Sequence, residues 1–140
     1  MKNATLLKKS TSLERCVLRA REEYAKDPYN LETNFTVQDA VLMNVVRACE
    51  QAFDIAQIAI KIKQLPRPDT NKQLFSVLAK AGIINEKLLL TLEGIVGFRN
   101  ICIHDYEQIN MNIVRNVVET KLEALLDFAA DVVSFFDDVD

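Results

Sequence analysis

The chain has 140 residues, 49% of them hydrophobic and 26% charged, which suits one folded domain with a sizeable core and excludes a disordered chain. Three glycines and three prolines are too few for the many tight turns of a β-sandwich or barrel. The formal charge of -3 argues against wholesale wrapping of nucleic acid, yet the charge is segregated. Residues 1–26 carry seven basic and three acidic side chains, residues 61–80 five and one, and residues 108–140 two and seven.

In chain order, the first predicted helix runs from about Ser10 to Lys26. Ser10, Thr11 and Ser12 offer N-caps, and Asp27-Pro28 ends it. Residues 27–34 read as a loop. The second helix starts near Phe35–Val37 and reaches about Lys63. Val41, Val45, Ala48, Ala52, Ile55, Ala59 and Ile62 form one stripe, and Leu42, Val46, Cys49, Phe53, Ala56 and Ile60 another beside it. Two adjacent stripes mark the central helix of a bundle, a rod of roughly 43 Å. Pro66 and Pro68 mark the next break. A short helix over about Lys72–Ala81 stops at Gly82, a left-handed cap. A fourth helix begins near Asn85 with the stripe Leu88, Leu92, Ile95, Phe98 and Cys102. The last covers about Asn110–Phe136, with Met111, Val114, Val118, Leu122, Leu125, Ala129, Val132 and Phe136 inward. The expected fold is all-α, a single domain over residues 1–140 built as an antiparallel bundle of four to five helices.

Cys16, Cys49 and Cys102 are far apart, odd in number and without a C-x-x-C pair, so neither a disulfide framework nor a cysteine zinc site is expected. No metal ligand set and no cofactor is predicted. Charge interrupts residues 1–21 repeatedly, unlike a signal peptide. No run approaches the roughly 20 apolar residues of a membrane span, and a cytoplasmic location is expected.

The chemically informative stretch is GFRNICIHDYEQIN, residues 97–110, which holds Arg99, Asn100, Tyr106 and the only histidine, His104. Measured around a helix from Ile95, Asn100 and His104 lie about 140° and 180° from the core stripe, whereas Arg99 and Tyr106 lie only about 40° and 20° from it. Ile101 and Ile103 flank the polar face, so this end of the helix is apolar nearly all round and is expected to be buried on two sides. A second copy of the chain is the simplest cover, and a two-fold interface would bring two arginines and two histidines together. Imidazole exchanges protons near neutral pH, and guanidinium grips phosphate through parallel N–H bonds. Such a set suits metal-free attack of an RNA 2′-hydroxyl on its own phosphate. The Arg-x4-His pair by itself carries little weight, because a capped or satisfied histidine near a helix end is the commoner fate of a lone histidine.

Arg99-Asn-Ile-Cys-Ile-His104-Asp-Tyr106, late in the penultimate helix of a small bundle, resembles the R-x4-H-x-Y signature of HEPN-domain proteins, and the whole chain is similar to toxins of the HepT type. The resemblance implies the toxin of a type VII-like toxin–antitoxin system, a metal-independent endoribonuclease acting as a homodimer. Carried over by position, Arg99 would hold the scissile phosphate, His104 would be the general acid/base, and Asn100 would orient the phosphate or His104. It also implies a minimal nucleotidyltransferase antitoxin of the MntA type as partner, which would silence the toxin by AMPylation of Tyr106. The basic residues Lys8, Lys9, Arg15, Arg19 and Arg67 are expected to border the dimer cleft and contact RNA. Two other functions fit the same residues: a non-catalytic helical subunit that docks on a nucleotidyltransferase and helps hold its nucleotide or substrate, and a purely structural homodimer.

Overall fold

The computed structural model describes residues 4–137. Helix α1 (Ala4–Lys26) leads through a 3-10 turn (Pro28–Asn30) to the long α2 (Phe35–Lys63), followed by α3 (Asn71–Lys80) and α4 (Glu86–His104). A second 3-10 turn (Tyr106–Gln108) precedes α5 (Met111–Asn116), a π-helical turn (Val117–Lys121) and α6 (Leu122–Asp137). No strand is present among the described residues, and none of their helices is long and apolar enough to cross a membrane.

Helix α2 is the hub. It carries α1 along one side, in the most extensive contact of the fold, and meets α3, α4 and α6 on others. Its two apolar stripes are buried almost without exception, as a central helix requires. Pairings between distant residues set the directions. Lys9 early in α1 meets Asp54 late in α2, and Arg99 of α4 meets Glu50 while Tyr106, just beyond α4, meets Asp39 near the start of α2, so α1 and α4 both run antiparallel to α2. Phe53, Phe75 and Phe128, from α2, α3 and α6, stack in sequence with centroid spacings of 6.0 and 5.1 Å and join the layers. Buried residues from every α-helix contribute to one continuous core.

The N-terminal boundary differs from expectation. Helix α1 begins at least by Ala4, because Leu6 and Ser10 extend the buried stripe of Leu13, Val17, Ala20 and Tyr24. The Ser-Thr-Ser run therefore caps nothing; the Thr11 hydroxyl donates back to the Leu7 carbonyl. Later starts follow their caps: Asn34 for α2, Thr70 for α3 and Asn85 for α4 each accept a hydrogen bond from the backbone three residues on. Gly82 adopts φ +78°, with its N–H on the Ala79 carbonyl and that of Ile83 on the Leu78 carbonyl, a Schellman stop. Gln64 ends α2 in the left-handed region, before the prolines are reached.

The last predicted helix is interrupted by the π turn, with the Leu122 N–H reaching the Val117 carbonyl. The inward positions Val114, Val118 and Leu122 are spaced four and four. In a regular helix that rotates the stripe by about 40° per step, and a wider turn restores it to the core.

Candidate functional site

Helix α4 ends at His104. The Asp105 backbone, at φ -134° and ψ 46°, leaves the helical region, so Tyr106 sits in the following 3-10 turn rather than two positions further round the wheel. The projection that put Tyr106 near the core stripe assumed an unbroken helix. Its side chain instead swings to the start of α2. The phenol donates to a carboxylate oxygen of Asp39 and lies 3.3 Å from Oε1 of Gln38, and the residue stays 45% exposed. The carboxylate contact, followed by partial burial, pushes the Tyr106 phenol up to about 12.

Arg99 lies where α4 presses on α2, its side chain only 16% exposed. Nε, at 3.1 Å, and Nη2 both donate to Oε1 of Glu50, and Nη1 donates to Oδ1 of Asn100 at 3.1 Å. The guanidinium carbon stands 5.3 Å from the centre of the Phe53 ring, which links the charge to the aromatic stack of the core. Three of the five N–H donors are thus committed, and one on each terminal nitrogen remains for a ligand. Asn100 orients the arginine directly. His104 is exposed on the last turn of α4 and has no side-chain hydrogen-bond partner among the described residues. Arg99 and His104 are five residues apart, about 7.5 Å along the axis.

The outer face of α4 carries exposed Leu90, Gly94, Gly97 and Ile101, with Ile101 and Ile103 41% and 44% exposed beside the motif. The apolar surround read from the sequence is therefore left uncovered by the described residues of one chain.

The predicted RNA-contacting cations divide. Arg15 and Arg19 are exposed on α1 and come near Arg47 of α2, all three pulling the Cys16 thiol down against the larger upward effect of burial. Arg47 lies one turn from Glu50 and thus close to the motif. Lys8 is exposed on α1. Lys9 is paired with Asp54 at 2.9 Å, and together with Arg67 it lines a cleft of about 700 Å³ at the far end of α2, away from the motif. Burial pushes the Cys49 and Cys102 thiols up to about 12 and 11, consistent with small core residues.

Sequence reading missed Gln38, Asp39 and Glu50 as partners of the motif, and Arg47 as part of the cationic face. On α2 alone they are indistinguishable from ordinary polar positions. A helical wheel would show only that Asp39, Met43 and Glu50 share one side.

A family profile described as Ribonuclease HepT-like matches residues 13–132. The chain belongs to the HepT-like ribonuclease family. It is 36% identical over 121 residues to the mRNA nuclease HepT of Shewanella oneidensis, covering 86% of this chain and 90% of that protein. Its fold matches the tri-AMPylated HEPN toxin of Shewanella oneidensis, solved in complex with an MNT antitoxin, at TM-score 0.88 and 32% identity, covering 94% of this chain and 98% of that one. A toxin–antitoxin structure with AMP-PNP matches at TM-score 0.87 and 32% identity, covering 92% and 97%. The all-helical bundle of this HepT-like chain is thus that of the HEPN toxins.

Proposed function

We propose that this HepT-like chain is an RNA-cleaving toxin, active as a homodimer and silenced by a nucleotidyltransferase antitoxin of the MntA type. The observation that carries the reading is Arg99: a guanidinium anchored by Glu50, Asn100 and Phe53, with one N–H left on each terminal nitrogen, on the same helix end as an exposed imidazole. That pair of donors matches two oxygens of a phosphodiester.

In the reaction, His104 takes the proton from a ribose 2′-hydroxyl, whose oxygen attacks the adjacent phosphorus. The P–O5′ bond breaks, and His104 of the partner subunit gives a proton to the leaving oxygen. A cyclic phosphate remains. Arg99 holds the phosphate and balances charge developing on it, and Asn100 keeps the guanidinium aimed. The exposed apolar strip of α4 suits the second protomer, which supplies the second imidazole. Arg15, Arg19 and Arg47 offer a cationic path for the RNA strand, with Lys8, Lys9 and Arg67 further along the molecule.

Modification fits the same geometry. An adenylyl group on exposed Tyr106 adds bulk and a phosphodiester charge near a site that holds an anion, excluding RNA by occupancy and repulsion. Expression of the chain alone halts growth and purified protein cleaves RNA, whereas Arg99→Ala and His104→Ala are harmless and lose about 10²-fold or more in cleavage. Full toxicity of either variant refutes the assignment. Intact mass after co-expression with the antitoxin rises by whole AMP increments, and Tyr106→Phe removes them.

A further inference from the structure

The contact between Tyr106 and α2 is more than a means of docking a turn. The Tyr106 hydroxyl spends its only hydrogen on the Asp39 carboxylate, and Gln38 Oε1 offers a second acceptor 3.3 Å away. Gln38 is itself buried and fixed, its Nε2 donating to the Leu31 carbonyl at 2.8 Å, so its oxygen is held towards the phenol. Two acceptors therefore flank the phenolic hydrogen, while Tyr106 and Asp39 both remain open to solvent on their outer side. With the hydrogen committed to α2, the Oη lone pairs stay free of it on a residue that is 45% exposed and open to an electrophile.

We propose that Asp39 is the general base for nucleotidyl transfer to Tyr106, so that this chain contributes both the nucleophile and the proton acceptor to its own modification. The inference rests on Tyr106 being the modified residue. As the partner enzyme presents a nucleoside triphosphate, Tyr106 Oη attacks the α-phosphorus and the O–P bond forms. The bond from that phosphorus to the bridging oxygen breaks, pyrophosphate leaves with the electron pair, and the phenolic proton passes to the Asp39 carboxylate. In the resting protein the carboxylate favours the neutral phenol, which is why the Tyr106 hydroxyl is pushed up to about 12. A preformed phenolate is therefore scarce at neutral pH. The proton must leave as the O–P bond grows and the hydroxyl becomes strongly acidic, and a carboxylate already hydrogen-bonded to it needs no rearrangement to accept it. The titratable groups whose charge acts on the phenol are Asp39 from α2 and the Cys102 thiol from α4. Of these two, only Asp39 accepts a hydrogen bond from the phenol.

The test uses the purified full-length chain, an MntA-type nucleotidyltransferase, ATP and Mg²⁺, with AMP incorporation followed by intact mass. The chains compared are wild type, Tyr106→Phe, Asp39→Asn and Asp39→Glu. Tyr106→Phe takes up no AMP. Asp39→Asn still forms the complex with the transferase but is modified about 10²-fold more slowly at pH 7, a general-base loss. Asp39→Glu, which keeps a carboxylate, recovers much of the rate. The Asp39→Asn deficit also narrows as pH rises, because the phenolate fraction of any tyrosine grows about tenfold per pH unit below its pKa. Modification of Asp39→Asn at the wild-type rate or faster overturns the proposal, as does a failure of complex formation, a Glu variant no better than Asn, or a deficit indifferent to pH. AMP on Tyr106→Phe, or none on the wild type, instead refutes the underlying assignment of Tyr106.

Discussion

Arg99 shows how one side chain can belong to both core and site. Its guanidinium is carried on the Phe53 ring and clamped by Glu50, so the end proposed to bind phosphate needs no ordering when substrate arrives. On the proposed role of Arg99, Glu50 acts through it as a positioning residue. Glu50→Gln keeps the volume but removes the charge that fixes the fork. RNA cleavage falls about tenfold through looser positioning, and stability falls by about 1 kcal/mol because the pair is only partly screened from water. Cleavage kinetics and a denaturant titration on the same preparation separate the two effects. A variant with unchanged cleavage removes Glu50 from the site.

Among the elements, the connection from α1 to α2 is stapled from across the molecule. Arg115 of α5 donates to both carboxylate oxygens of Glu32, at 2.9 and 2.7 Å, and to the Pro28 carbonyl at 3.0 Å. The guanidinium holds the Glu32 carboxyl down at about 2, against its ordinary 4.5. A carboxyl depressed in the folded state contributes stability that is fully present above about pH 4.5 and is lost as pH falls towards 2. The Glu32 titration followed by NMR therefore has its midpoint near 2 and moves up in Arg115→Gln, and melting temperature falls less steeply with acid in that variant. The stop of α3 is a second local device. Gly82 sits at φ +78° with nothing within 4 Å of an added Cβ, so Gly82→Ala costs about 1 kcal/mol from backbone strain alone, read as a lower denaturation midpoint.

The described residues leave the outer face of α4 exposed, and the two glycines there report on what covers it. A Cβ at Gly97 meets nothing within 4 Å among the described residues, and Gly97 is in ordinary helical conformation. Gly97→Ala therefore stabilises the protomer by roughly 0.5–1 kcal/mol through helix propensity. If a second copy packs closely on this face, the same methyl group obstructs it, and self-association weakens while the dilute-solution melting temperature rises. Sedimentation across a concentration series, alongside thermal melts, reads both. Unchanged association places the dimer contact elsewhere.

Periodicity along the chain was enough to locate the five predicted helices, their buried stripes and the placement of Asn100 and His104 away from the core, because a 3.6-residue repeat is a local property of neighbouring side chains. The family signature likewise lies within eight consecutive residues. The early start of α1 and the π turn were decided by packing, since each depends on how a helix must meet its neighbours. So were the two carboxylates that engage the motif, Glu50 and Asp39, which lie 49 and 67 residues from the side chains they hold. Which polar group of α2 faces which residue of α4 or its following turn depends on the relative slide of the two elements, at 1.5 Å per residue, and no pattern within one helix records that offset.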